Sequence, residues 1–345
     1  SFYKEASDRN KTQGFLDAVL LELEAFGAEK VRPSTIFFGG GTPSALSPRQ
    51  LSYLLGGLRE RLDLSDLQEW TLEMNPATVS QEKAELLLSL GVNRISMGVQ
   101  AWQNDLLTRL GRVHSAAQAL RSYEILRRAG FKKINLDLIF GIPGQTPDQW
   151  EESLRKTINL SPEHISAYCL TYEEDTEYFR LLAARQLTQN EVQDAELFES
   201  TMEILARDGY SQYEISNYAR PGEECRHNLA YWTGQNYLGL GPSAFSTVSG
   251  HRWQNVADTS SYVDQVQGQG TAQVFRESLS SDTQLSEKIV FGLRTNQGIS
   301  EELVKPWSED IRELESAGYI QRQAGAITLS QSGRMVADAI GELFV

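Results

Sequence analysis

The sequence predicts an α/β fold: a parallel sheet assembled from βα units, followed by a smaller winged-helix-like piece at the C-terminus. Apolar, β-prone runs recur between amphipathic stretches at a spacing of roughly 30 residues, which is the signature of βαβ units. Two of those runs stop at glycine-rich turns, Gly39-Gly40-Gly41 and Gly141-Ile142-Pro143-Gly144. From Gln284 the rhythm changes to helix, two short apolar runs and helix.

Phe15, Leu16, Val19, Leu20, Leu23 and Phe26 repeat at helical spacing up to Gly27, so an amphipathic helix comes first, with no strand before it. The run Ile36-Phe37-Phe38 is the first strand. Ser47-Pro48-Arg49-Gln50 then supplies a capping Ser, a Pro at the first helical position and a reciprocating Gln, which starts a helix through Leu51, Leu54, Leu55 and Leu58. Trp70 to Pro76 is a strand, and Ser80 opens the helix with Leu86, Leu87, Leu88 and Leu90. Arg94 to Gln100 is the third strand, with helical segments following to Gly130; Ile134 to Phe140 is the fourth. Thr146-Pro147-Asp148-Gln149 repeats the Pro-bearing cap, before a helix through Leu154 and Ile158, and His164 to Leu170 is the fifth strand. Thr188-Gln189-Asn190-Glu191 reads as a further capping box, for a helix carrying Leu197, Met202, Ile204 and Leu205. Residues 212–249, rich in Tyr, Asn and Gly, read as irregular. Ile311 and Leu314 mark a helix, Tyr319-Ile320 and Ile327-Thr328-Leu329 a two-stranded wing, and Met335 to Phe344 a last helix. The division predicted is 1–210, 211–283 and 284–345.

A formal charge of −14 and a pI near 4.9, without clustered Lys and Arg, exclude a nucleic-acid partner. No apolar run spans a bilayer. Cys169 and Cys225 are the only cysteines, which excludes a disulfide scaffold and points to a reducing, cytoplasmic setting. The opening Ser1-Phe2-Tyr3-Lys4-Glu5 reads as the interior of a longer sequence.

Three consecutive glycines remove three side chains, so Gly39 to Gly41 is either a tight strand-to-helix turn or a place where bare main chain meets a small polar ligand. Polar residues at the tips of successive parallel strands converge on one mouth, and here those are Glu73, Gln100 and Asp137. Read singly, each carboxylate is an ordinary strand-end group and Arg112 a solvated helix-end cation. Three tips beside a triple glycine favour a site. A lone His227 among aromatics is ordinarily structural, as are His114, His164 and His251.

These motifs resemble a known family. Gly39-Gly40-Gly41-Thr42-Pro43, Glu73-Met74-Asn75-Pro76, Ser96-Met97-Gly98-Val99-Gln100, Leu110-Gly111-Arg112 and Asn135 to Pro143 are similar to the radical SAM proteins of the coproporphyrinogen dehydrogenase group, with the match best in its haem-chaperone branch. The resemblance implies a partial (β/α)6 barrel lacking its first strand, a C-terminal winged-helix-like domain, S-adenosylmethionine and a [4Fe-4S] cluster. By position, Gly40, Gly41 and Thr42 would hold the amino-acid end of S-adenosylmethionine, with Glu73, Gln100, Arg112 and Asp137 as its polar and charged partners. It also implies that the Cys-x3-Cys-x2-Cys cluster loop lies upstream of Ser1, since neither Cys169 nor Cys225 sits where that loop belongs. Cys225-Arg226-His227-Asn228-Leu229-Ala230-Tyr231-Trp232 is similar to the haem motif of the chaperone branch, with His227 as ligand to haem iron and Tyr231 and Trp232 lining the porphyrin. Cys225 is a possible thiolate donor or a small buried residue. The implied activity is haem delivery to respiratory acceptor proteins. The alternative is oxygen-independent coproporphyrinogen III dehydrogenase, and radical haem degradation is a weaker third.

Overall fold

The computed structural model describes residues 9–27, 31–172, 180, 181, 184, 190–323 and 325–345. Ser1-Phe2-Tyr3, Thr188 and Gln189, which figure in the reading above, lie outside the described residues. After helix α1 (Arg9–Phe26), strands β1 (Thr35–Phe38), β2 (Glu69–Met74), β3 (Arg94–Gln100), β4 (Lys133–Phe140) and β5 (His164–Cys169) pair parallel in sequence order. Helices α2 (Pro48–Arg61), α3 (Gln81–Ser89), α4 (Asn104–Arg109), α5 (Ala116–Ala129) and α6 (Pro147–Asn159) make the crossovers, and α7 (Glu191–Arg207) follows β5. This is the parallel α/β series that the sequence predicts.

Local chemistry sets the helix starts. Ser47 and Gln50 form a reciprocal capping box on α2, and Thr146 and Gln149 do the same on α6, each with a Pro in the first turn. Such a cap is worth about 1 kcal/mol. On α7 the cap is Asn190, whose side chain accepts from Gln193 N at 3.2 Å, because Glu191 is already helical.

The register assigns two unlike faces to the sheet, because side chains alternate along a strand and in-register partners share a side. Phe38, Leu72, Ile95 and Ile134 belong to the face that packs on the helices in one large apolar core. The other face carries Thr35 and Phe37 on β1, Glu69, Thr71 and Glu73 on β2, Arg94, Ser96 and Gly98 on β3, Asn135 and Asp137 on β4, and His164 and Ser166 on β5. Glu69, Thr71, Arg94, Asn135, His164 and Ser166 are all buried, so the part of this inner face nearest the strand N-termini is polar yet shielded from water, while Glu73 and Asp137 at the other end are half-buried.

Residues 211–278 are far more regular than their composition suggests. Strands β6 (Ser211–Gln212) and β7 (Asn217–Ala219) extend the sheet antiparallel beyond β5, helix α8 (Arg226–Trp232) carries the histidine motif, and β8 (Phe245–Val248), β9 (His251–Asn255) and β10 (Gln273–Ser278) form a separate antiparallel sheet with α9 (Thr259–Gln269) inserted. Strands of two or three residues have no periodicity to read; they exist because β5 offers a free edge. Glu22 of α1 ties this region down, accepting from Gly241 N, Asn255 Nδ2 and Tyr262 Oη at 2.6–3.0 Å.

A second apolar cluster, from Ile289 to Phe344, belongs to α10 (Ser281–Leu293), β11 (Ile299–Ser300), α11 (Ser308–Ser316), β12 (Ile320–Gln323) and β13 (Ala326–Leu329). The two-stranded wing is β12 and β13, to which β11 adds a third strand. The predicted last helix is broken into α12 (Gln331–Met335), α13 (Ala337–Gly341) and a terminal 3-10 turn, with Val336 outside helical geometry at φ −120°, ψ 27°.

Candidate active site at the mouth and floor of the hollow

The mouth lies where β1 to β4 end. Glycine is required at three successive positions for two different reasons. A Cβ at Gly39 would sit 2.6 Å from the Phe37 ring and 3.0 Å from Glu73 Oε1, whereas Gly40 and Gly41 have open space around them and positive φ of 69° and 90°. The loop is then pinned by Ser44, a fully buried residue. Its hydroxyl accepts from Asn75 N at 3.0 Å and Thr78 Oγ1 at 2.8 Å, and its carbonyl accepts from Lys83 Nζ at 2.6 Å. Lys83→Met leaves that carbonyl facing a methyl thioether. We expect a loss of about 1–3 kcal/mol in unfolding free energy, read by denaturant titration, with the charge-assisted bond as the cause.

Strand β3 ends in a bulge at Val99 that re-aims Gln100, a non-glycine residue at φ 69°. Its amide folds back so that a Cβ at Gly98 would lie 2.7 Å from Gln100 Nε2. His114 secures the bulge through a 3.1 Å contact between Nε2 and the Val99 carbonyl, so this histidine is structural. Gly98 is the register partner of Asp137, so the folded-back amide lies over the β3 position next to the Asp137 backbone.

Asp137 is held from below by Asn135 Nδ2 at 2.6 Å and Ser96 Oγ at 3.0 Å. Burial pushes its carboxyl above the usual range, while hydrogen bonds from Ser166, Ser96 and Asn135 favour the charged form. Burial also pushes the Glu73 carboxyl up to about 7; the Asp137 charge adds to the rise, and the Gly40 N–H opposes it. Burial lowers the pKa of Arg112, on the loop after α4, and the nearby Asp137 charge opposes that shift. The structure thus brings Gly40, Gly41, Glu73, Gln100, Arg112 and Asp137 to one mouth. Thr42 flanks it, exposed, at the start of a 3-10 turn and without a side-chain cap bond.

The floor is made by residues 213–232, which cross the N-terminal ends of the strands. His164 sits at its centre, 1 % exposed, with Nδ1 2.7 Å from Asn135 Oδ1 and Nε2 2.8 Å from Tyr213 Oη. Glu69 caps α8 by accepting from Arg226 N and His227 N at 3.2 Å, and the Cys225 thiol donates to it at 3.3 Å. Burial pushes that thiol up to about 12, and the side chain is packed into the floor at 2 % exposure.

His227 is held from two sides. Its Nδ1 lies 3.0 Å from Thr35 Oγ1, and its ring stacks on Phe37 with centroids 4.9 Å apart and planes 18° from parallel. Tyr231 packs beside it at 5.5 Å and in turn stacks on Tyr237 at 4.4 Å. Trp232 departs from the expected role: it meets Phe291 edge-on and lies under the Arg294 guanidinium, so it anchors α8 to α10 and lines no site with His227. A helical residue one position on from Tyr231 points about 100° away, which is why both cannot face the same ligand.

The chain's residues 4–157 match the model of the Radical SAM superfamily. It is 34% identical to the Heme chaperone HemW of Lactococcus lactis, over 96% of this chain and 89% of that one, and 35% identical to the Heme chaperone HemW of Bacillus subtilis, over 90% and 85%. The chain belongs to the HemW family of radical SAM proteins. The family likeness extends to a mitochondrial radical S-adenosyl methionine domain-containing protein 1 of Danio rerio, 32% identical over 90% of this chain. Among solved structures, coproporphyrinogen III oxidase (HemN) from Escherichia coli superposes with a TM-score of 0.82 over 99% of this chain at 24% identity, which establishes the fold.

In this HemW-family chain, sequence reading missed Ser44, Lys83, Ser96, Asn135, Phe37 and Thr35. One signal was available: strands β3 to β5 carry polar residues at every second position, Arg94 and Ser96, Asn135 and Asp137, His164 and Ser166. Such alternation in strands with helices on one side marks a polar inner face.

Proposed function

We propose that this chain is a haem chaperone: it binds haem through His227 and S-adenosylmethionine at the triple-glycine mouth, and passes haem to an acceptor protein. The observation that carries the reading is the state of His227. Burial lowers its pKa, keeping the imidazole neutral, and Thr35 occupies Nδ1. Among the described residues Nε2 has no hydrogen-bond partner, which is the arrangement of a histidine prepared to ligate a metal. Phe37, Tyr231 and Tyr237 supply aromatic surface beside it. The names of the Lactococcus lactis and Bacillus subtilis relatives support the same reading.

The mouth fits S-adenosylmethionine by its donor set. Gly40 and Gly41 offer bare main chain, Glu73 and Asp137 suit amino and ribose donors, Arg112 suits a carboxylate, and Gln100 serves either. When bound, this cofactor supplies a sulfonium centre and, on reductive cleavage, a 5′-deoxyadenosyl radical. The residues in hand do not fit the [4Fe-4S] cluster that the superfamily implies. Cys169 ends β5 while Cys225 lies at the opposite, floor end, and no group of three His, Cys, Asp or Glu gathers among the described residues. We place the functional division at 1–210 for the barrel, 211–283 for the haem-motif region and 284–345 for the end domain. No described helix is long and apolar enough to cross a membrane.

Haem titration of the full-length protein tests the reading. His227→Ala should shift the Soret band and weaken haem binding by about tenfold, the value of one lost axial ligand beside retained aromatic contacts. An unchanged spectrum and affinity, together with conversion of coproporphyrinogen III, would assign the dehydrogenase activity instead.

A further inference from the structure

Phe37 touches both ends of the hollow. One face of its ring stacks on His227, and its edge lies where a Cβ at Gly39 would collide, next to Glu73 Oε1. Phe37, Gly39 and Glu73 are also tied by register, since Phe37 pairs with Thr71 on the same inner face, two residues before Glu73. We propose that Phe37 is a positioning residue shared by the two ligand sites: it sets the plane of the His227 ring, and a nucleoside ligand settling on the glycine loop restrains Phe37 and thereby tightens haem binding. The inference rests on the reading of His227 as the haem ligand.

The physical basis is that one ring meets both ends, its face on His227 and its edge at the glycine loop. A Cβ at Gly40 or Gly41 would have no neighbour within 4 Å, so the loop is fixed chiefly by Ser44 on one side and by the Gly40 N–H to Glu73, beside the Phe37 ring edge, on the other. A ligand that holds the loop also holds the edge of the Phe37 ring, and through the stack it holds the His227 imidazole in the plane set by Phe37 and Thr35, the plane in which Nε2 meets iron. Linkage makes the effect reciprocal: haem must tighten the nucleoside ligand by the same factor.

The test is a haem titration of the full-length protein, followed by the Soret band, with and without saturating S-adenosylmethionine under non-reducing conditions. The same titration is run on Phe37→Leu, Phe37→Tyr and His227→Ala. In the unaltered protein, S-adenosylmethionine should tighten haem by about fivefold, the lower end of ordinary site-to-site coupling. Phe37→Leu should bind both ligands without that coupling, and Phe37→Tyr, which keeps the ring, should retain it. Haem binding that depends on His227 but ignores S-adenosylmethionine would overturn this proposal alone, as would coupling that survives in Phe37→Leu. Haem binding that is identical in His227→Ala would remove the haem site itself and this proposal with it. Absence of coupling in the unaltered protein overturns the proposal without any variant, and if the leucine variant does not fold, Phe37→Met, which also removes the ring, is titrated in its place, with surviving coupling again overturning it.

Discussion

Glu73→Gln is expected to weaken S-adenosylmethionine binding by about 30-fold or more at pH 8, since removing one partner of a buried charge pair costs roughly 2 kcal/mol at the least. Glu73 is the carboxylate nearest the glycine loop, and Gly40 N–H already favours its charged form. Its folded pKa is raised to about 7 from an ordinary 4.5, first by burial and then by Asp137. In the ligand-free protein that rise has a definite sign. The protonated form is the one the fold prefers, so the Glu73 contribution to stability is full below 4.5 and is lost as pH climbs to about 7. A cationic amino group reverses the preference and expels the proton. Affinity should therefore fall by up to about tenfold per unit below pH 7 and level off above it. Calorimetry in two buffers of different ionisation enthalpy reads the released proton directly. Glu73→Gln should abolish both the proton release and the pH dependence; a variant that retains either would remove Glu73 from the ligand site.

His164→Leu should destabilise the protein by about 3–5 kcal/mol, the largest stability change predicted for a single side chain here. The imidazole bridges Asn135 on β4 and Tyr213 on the floor segment, and its loss strands two buried polar groups at about 1–3 kcal/mol each, in addition to altered packing. Burial holds the His164 pKa well below 6.5, with the Arg94 charge acting in the same direction. The sign is opposite to that of Glu73: the neutral ring is the folded form, so its contribution is present above pH 6.5 and is lost as pH falls. Urea titrations at several pH values should show stability declining below pH 6.5 in the unaltered protein and a weaker decline in His164→Leu. Equal stability of the two proteins at pH 8 would contradict the bridging role. A secondary effect follows for α8, because Tyr213 and the Glu69 cap share the floor with Cys225 and His227.

The strands and the mouth were legible because their signals are local. A buried parallel strand is a short apolar run, a capping box is four residues, and a triple glycine at a strand end is visible wherever it occurs. Glu73, Gln100 and Asp137 could be grouped from sequence since parallel topology alone sends strand tips to one side. Lys83 was not legible: it looks like any surface lysine on a helix, and only the fold places Ser44 against it. His164 read as an ordinary histidine for the same reason, its partners being 29 and 49 residues away. Tyr231 and Trp232 could not be told apart by composition, yet one faces His227 and the other faces Phe291.

By itself the sequence determined the α/β class, the five parallel strands and the family resemblance, and it named candidate residues for the mouth, all of which depend on periodicity and on motifs a few residues long. Tertiary structure alone decided that the inner face is polar and buried at its N-terminal end, that residues 213–232 cover that end, and that the Phe37 ring meets His227 on its face and the glycine loop at its edge. Those facts depend on contacts between segments as much as 192 residues apart, as between Thr35 and His227, and such contacts leave no local trace because many side chains satisfy the same spacing until packing selects one arrangement.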